Sequence, residues 1–289
     1  MITVRISGGL GNQMFQYALG RALSLKTGRP LCLDLSFYSS QNPKEARRTY
    51  ELDMFNIKAE LTREGALKRL VHTVKQRLES SKAIRDKTVI REPSFAFVPE
   101  VLELTGNCYL SGVWQSEKYF KSYEHEIRKD FTLKKPLSSE AEQIKKLMIE
   151  GTAISVHIRR GDQVSDPKLL AKHGALGKEY YAAALEYMRK HVANPRFFVF
   201  SDDIEWVKAN LNFGPNAVFV SAMPIPERDY QELMLMSCCA HNIIAKSSYS
   251  WWGAWLNQNK NKIVIAPKQR FGAARSDDKD LIPESWIQL

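Results

Sequence analysis

Two adjacent arginines close the run Val156-His157-Ile158-Arg159-Arg160-Gly161-Asp162. Arginines that end a buried apolar strand are costly to hold unless an anion satisfies their planar donor forks. A diphosphate would do so. The other reading is a salt bridge at a domain interface, with Asp162 as the partner. A pair of acids, Asp202 and Asp203, ends the next apolar run, Phe198-Val199-Phe200-Ser201. Carboxylates in that place could hold a metal, grip a ribose or a guanine N–H, or cap the following helix. Asp203 stands where a cap would, and Asp202 is the better ligand candidate. Further on, Ser247, Ser248 and Tyr249 place hydroxyls at a strand-to-helix turn. Hydroxyls there suit phosphate oxygens as well as they suit the helix's own N–H groups. Trp251, Trp252 and Trp255 follow at helical spacing, which reads mainly as packing.

Near the amino terminus, Gly8-Gly9-Leu10-Gly11-Asn12-Gln13 lies between a strand pattern and a helix pattern. Gly9 and Gly11 let the backbone turn tightly and let a ligand approach the helix N-terminus. Met14 occupies the third glycine position of a dinucleotide fingerprint, and no GK[ST] follows for a P-loop. Asn12, Gln13 and Gln16 beside the glycines favour a polar site over a bare turn.

The chain has no Ser-His-Asp order and no HExxH. Its one DxD-like pair is Asp278-Lys279-Asp280, with a lysine between the acids. A metal–diphosphate clamp is therefore weakly supported, and no cofactor is expected. Four cysteines, Cys32, Cys108, Cys238 and Cys239, show no CxxC spacing and read as free thiols in a reducing compartment.

The elements that must position these residues follow from periodicity. Strands are predicted over 152–158, 196–201, 217–220, 242–245 and 263–266, and helices over 180–191, 204–211, 229–239 and 251–257. That alternation implies right-handed βαβ units and a parallel sheet covered on both faces. The amino-terminal half opens alike, with strands over 3–7 and 31–35, a helix over 13–27 and a further strand over 107–113. The polar stretch 133–139 is the best place for a linker. The expected fold class is α/β with two facing Rossmann-like domains, residues 1–140 and 141–289, and a cleft between them.

The net charge of +10 invites a nucleic-acid or membrane-surface reading. The excess is local, however, and much of it lies within residues 63–87. Apolar Leu67, Leu70, Val71, Val74 and Leu78 form a helical stripe there. This is either an ordinary surface helix or a basic amphipathic element that rests on anionic lipid. The opening residues lack the basic and apolar regions of a signal peptide, and no apolar run spans a bilayer. A cytoplasmic protein is expected, peripheral on the inner face of the inner membrane if residues 62–87 touch lipid.

With these residues in view, the chain resembles the α-1,2-fucosyltransferases of bacteria and their animal relatives. The matching pieces are GGLGNQMFQYA at 8–18, WQSEKYF at 114–120, HIRRGD at 157–162, FSDD at 200–203 and SSYSWWGAWL at 247–256. They keep the family's order over nearly the whole chain. The HxRRxD element is shared with α-1,6- and protein O-fucosyltransferases, whereas GGLGNQMFQ with SWWGAW is much more specific to the α-1,2 group.

The resemblance implies a GT-B-like fold, transfer of L-fucose from GDP-β-L-fucose with inversion and no required metal, and a terminal galactose acceptor on an oligosaccharide or a lipid-linked glycan, as in O-antigen synthesis. By the same resemblance, Arg159 or Arg160 would hold the β-phosphate. His157 and Asp202 would meet the guanine. Ser247, Ser248 and Tyr249 would complete the diphosphate cradle, and Asn12 would face the fucose or acceptor across the cleft. For the acceptor's proton, Asp166 stands one residue from the family's carboxylate position, while Asp162 by its motif position orients an arginine. A loose transition state would need no base. Another GDP-sugar such as GDP-mannose is the alternative donor. A basic membrane-surface or nucleic-acid-binding protein is the non-enzyme alternative, and it explains none of the motifs.

Overall fold

A computed structural model describes residues 1–41, 47–62, 87–160, 176–268 and 278–289. Gly161, the two candidate bases Asp162 and Asp166, and nearly all of the basic stretch 62–87 lie outside the described residues. Among the described residues, no helix is long and apolar enough to cross a membrane.

The chain forms two compact units, Met1–Lys135 with Lys279–Leu281, and Pro136–Asp278 with Ile282–Leu289. The division falls a few residues before 140 for a local reason. Ser138 accepts the Ala141 N–H and caps the helix Ser139–Leu147, which carries the chain into the second unit.

In the first unit, β1 (Ile2–Arg5), β2 (Leu31–Asp34), β3 (Glu60–Thr62), β4 (Lys87–Arg91) and β5 (Asn107–Ser111) form a sheet in the order β3-β2-β1-β5-β4. Every pairing in it is parallel. The helices are α1 (Leu10–Thr27), α2 (Ser36–Ser39) and α3 (Glu124–Asp130). Helix α1 is buried along most of its length, and Gly28 ends it in the left-handed conformation at φ +66°. Strands β3 and β4 were not legible in the sequence, because they are three and five residues long and lack a continuous apolar run.

In the second unit, β6 (Thr152–Ile158), β7 (Pro195–Ser201), β8 (Val218–Phe219), β9 (His241–Ile243), β10 (Val264–Ala266) and β11 (Ile287–Gln288) pair in the order β11-β10-β9-β6-β7-β8. All of these pairings are parallel too. The helices are α4 (Ser139–Leu147), α5 (Lys178–His191), α6 (Ile204–Asn210), α7 (Arg228–Cys238) and α8 (Ser248–Leu256). Both units are thus α/β with a parallel sheet, as the alternation of periods implied.

Strand β6 is buried on both faces, as a central parallel strand must be. Ile154, Val156 and Ile158 pack with Tyr181, Leu185 and Met188 of α5. The alternate positions face the other way, where Ser155 Oγ accepts from Asn242 at 2.7 Å and His157 meets Tyr249 of α8, ring centroids 5.5 Å apart. Trp251, Trp252 and Trp255 are all buried and pack on one another, and Trp251 also meets Trp286, so they are packing as expected.

Candidate functional site

In an open parallel sheet, ligands bind beyond the carboxyl ends of the strands, where the strand order reverses. The second unit reverses at β6 and β9. From β6 the chain adds β7 and β8 on one side, then crosses to β9 on the other. The HIRRGD run leaves β6 and the Ser247–Tyr249 run follows β9, so those two motifs flank the reversal.

Register explains the pairing of arginines with acids. Ile158 is paired with Ser201, so the residues just beyond them, Arg159 and Asp202, are opposed, and Arg160 and Asp203 come next. Arg159 Nε lies 3.1 Å from Asp202 Oδ2, and Asp202 Oδ1 accepts the Arg160 backbone N–H at 2.8 Å. Arg160 Nε lies 3.4 Å from Asp203 Oδ2, and its guanidinium stacks 3.7 Å above the Trp206 ring. Asp203 also accepts the Trp206 N–H, which caps α6 as the sequence suggested. Both arginines are therefore aimed by their neighbours while still partly open to solvent.

His157 lies directly before them in the chain and is buried. Burial, helped by the Arg159 charge, lowers its pKa to about 3, so the ring is neutral near pH 7. Its Nδ1 is buried with no hydrogen-bond partner among the described residues, so one ring nitrogen is unsatisfied.

After β9, Ser247 Oγ accepts the Tyr249 N–H and caps α8. The Tyr249 hydroxyl donates to the carbonyl of Asp229 in the first turn of α7. Ser248 and Lys246 are half-buried at the same turn, and desolvation lowers the Lys246 pKa.

A further acid was missed by sequence reasoning. Glu232 of α7 is buried, with Oε1 lacking a hydrogen-bond partner among the described residues although Arg228 Nε is 3.5 Å away. Burial raises its pKa to about 7, against the lowering effects of Ser221 and Arg228. Ser221 also accepts the N–H of Ser201, the last residue of β7, so Glu232 sits behind the acid-bearing edge. The available signal was an acid within an otherwise buried helical run, Gln231, Leu233, Leu235 and Met236.

The first sheet reverses between β1 and β5. The Gly8–Gly9 turn follows β1, with Gly8 at φ +77°. A Cβ at Gly8 would lie 2.8 Å from Asn12 Nδ2, so only glycine leaves that amide its room. Asn12 Oδ1 accepts from Gln115 Nε2 at 2.8 Å.

Gln13 and Gln16 are structural here, contrary to the polar-site reading. Gln13 donates to the carbonyls of Gly8 and Thr49 and accepts the Glu51 N–H. Gln16 accepts the Ser7 N–H and donates to Ser7 Oγ and to the Gly112 carbonyl. Each side chain thus ties together backbone groups from separate loops.

Asp280 of the DxD-like pair is bound 2.6 Å from Lys118 Nζ and accepts the Phe97 N–H at 3.0 Å, so it anchors the tail of the first unit. No group of three metal-ligating side chains occurs among the described residues. All four cysteines are free, and only Cys238 is exposed.

A model of the family Glycosyl transferase family 11 matches residues 100–289. An Escherichia coli protein named alpha-1,2-colitosyltransferase is 32% identical over all of this chain and 99% of its own length. Another from Escherichia coli, the O-antigen biosynthesis glycosyltransferase WbnK, is 34% identical over 98% of this chain and 99% of its own. A galactoside alpha-(1,2)-fucosyltransferase 2 of Oryctolagus cuniculus is 24% identical over all of this chain and 77% of its own length.

Proposed function

The chain belongs to glycosyl transferase family 11, and on that premise we propose that it transfers L-fucose from GDP-β-L-fucose to the 2-hydroxyl of a terminal galactose, with inversion at the anomeric carbon. The observation that carries this reading is the pair of arginines at the strand-order reversal, each held by its own aspartate.

In the reaction the acceptor oxygen bonds to the anomeric carbon as the bond to the β-phosphate oxygen breaks. The electron pair stays on the diphosphate. Arg159 and Arg160 neutralise that growing charge, and because Asp202, Asp203 and Trp206 already fix them, little reorganisation accompanies the step. The arginines take the part a divalent cation plays elsewhere, so transfer proceeds without metal. Lys246, Ser248 and the N-terminus of α8 supply further donors to the diphosphate.

Guanine presents two adjacent donors, its N1–H and its 2-amino group. Glu232 and neutral His157 suit that edge, whereas Asp202 is engaged in orienting the arginines. Asn12 is the candidate contact to the fucose or the acceptor, and Asp162 or Asp166 is the candidate to receive the acceptor's proton. The acceptor is a glycan of surface polysaccharide, free or lipid-linked, reached at the cytoplasmic face of the membrane with residues 62–87 as the contact.

A second reading is favoured by the colitosyltransferase relative. Colitose is fucose without its 3-hydroxyl, so the phosphate and guanine contacts would be unchanged. A site that hydrogen-bonds the 3-hydroxyl discriminates strongly against the sugar that lacks it. The test is GDP release from GDP-fucose, GDP-colitose and GDP-mannose with galactose-terminated acceptors, in EDTA. Acceptor-dependent release from GDP-fucose, with an α-1,2-linked product, supports the reading. Preference for GDP-colitose moves the donor assignment and keeps the site. A requirement for added metal removes the arginine mechanism.

A further inference from the structure

We propose that Gln115 is a positioning residue for sugar transfer, fixing which end of the Asn12 carboxamide is presented at the reversal point of the first sheet. The proposal rests on the reading that Asn12 meets a sugar.

A carboxamide turned by half a rotation exchanges a donor for an acceptor, and its function depends on which end faces the ligand. Gln115 Nε2 donates to Asn12 Oδ1 at 2.8 Å. Gln115 is only 8% exposed, so this bond is shielded from competing water. With the oxygen held by Gln115, the Asn12 nitrogen lies on the Gly8 side, in the space that the absent Cβ leaves open. Gln115 follows β5 and Asn12 follows β1, the two strands at which the order reverses.

Gln115 is itself held by an arrangement that packing alone does not require. Trp114 is fully buried with φ +56°, a strained conformation for a large side chain. Glu92, just beyond β4, gives one carboxylate oxygen to the Val113 N–H at 2.6 Å and the other to the Trp114 N–H at 2.8 Å. The Ser116 N–H returns to the Trp114 carbonyl at 2.9 Å, and the Trp114 ring meets Tyr119 edge-on at 5.6 Å. Gly112 is required here, since a Cβ would come within 2.4 Å of Glu92 Cβ. Strain held at such a turn marks a functional position. What this turn delivers is one glutamine amide to one asparagine.

The test compares Gln115→Glu and Gln115→Met. The glutamate is isosteric but as a carboxylate can only accept, so it favours the reversed Asn12 amide. The methionine keeps the volume and removes the bond. Transfer to a galactose-terminated acceptor is expected to fall about 10- to 100-fold in kcat/KM in both variants, from misplacement of a group that contacts the sugar. The GDP affinity stays at the wild-type value, while Tm falls modestly in both variants because the Asn12 oxygen loses its buried donor. Relative to wild type, Gln115→Glu recovers as pH falls and the introduced carboxyl takes up a proton it can donate to Asn12, whereas Gln115→Met does not recover.

Wild-type kcat/KM in both variants overturns the proposal. So does a loss matched by equal losses of Tm and GDP affinity, or the same pH profile for both variants. If the wild-type protein transfers no sugar, the functional reading fails instead. The Asn12 side-chain amide signals by NMR then decide the positioning, and unchanged signals in Gln115→Glu overturn it.

Discussion

Arg159 and Asp202 meet across the carboxyl ends of adjacent strands, Nε 3.1 Å from Oδ2, and the same carboxylate accepts the Arg160 backbone N–H. One acid thus orients a guanidinium and fixes the backbone that carries the next. The pair is partly solvent-exposed, so its direct contribution to stability is small. Its effect is to hold charge in place for a ligand.

Asp202→Ala is therefore expected to leave Tm within a few degrees of wild type while transfer falls by about ten- to a hundredfold, since the arginines keep their charge and lose their preorganisation. Rates and Tm measured on the same preparation test this. A large loss of Tm would make Asp202 a fold residue.

Arg160→Ala should lower kcat by about two orders of magnitude or more, the effect of losing one preorganised donor. Arg160→Lys should recover little, because an ammonium cannot reproduce the planar stack on Trp206 together with the approach to Asp203. Near-normal turnover in the alanine variant would remove Arg160 from the mechanism.

Glu232 predicts opposite effects on stability and binding. Its folded pKa of about 7 lies above the ordinary carboxyl value of 4.5, chiefly through burial. The folded state therefore holds the proton more tightly, and this group's contribution to stability is lost as pH rises from about 4.5 through about 7. Glu232→Gln removes the buried charge and should stabilise the protein by up to about 3 kcal/mol at pH 8, and by almost nothing at pH 4. GDP affinity should fall about tenfold or more, as one strong acceptor is lost. Urea denaturation at the two pH values and GDP titration are the measurements. A stability gain without loss of GDP binding would take the guanine away from Glu232.

Gly20 in α1 tests packing in the first unit. A Cβ there would lie 2.4 Å from Val4 Cγ2 and 2.8 Å from Leu31 Cδ1. Alanine would gain about 1 kcal/mol in helix propensity, but overpacking costs about 1–3 kcal/mol. Gly20→Ala should accordingly lower Tm, with GDP binding in the second unit unchanged. A raised Tm would show that β1 and β2 yield easily.

The sequence by itself determined the α/β class, the bounds of β6, the helices around it and the order of the motifs. Those features are local. Apolar runs, helical periods and a cap residue such as Asp203 act over a few neighbours, so they can be read along the chain. Only the tertiary structure decided which polar groups meet. It paired Arg159 with Asp202 and Asn12 with Gln115. It made backbone ties of Gln13 and Gln16, gave Asp280 to Lys118 and buried Glu232. Partners such as Asn12 and Gln115 lie on separate strand ends that become neighbours only when β5 inserts beside β1. No periodicity within either segment encodes that order, because strand order is set by how the whole sheet buries its faces.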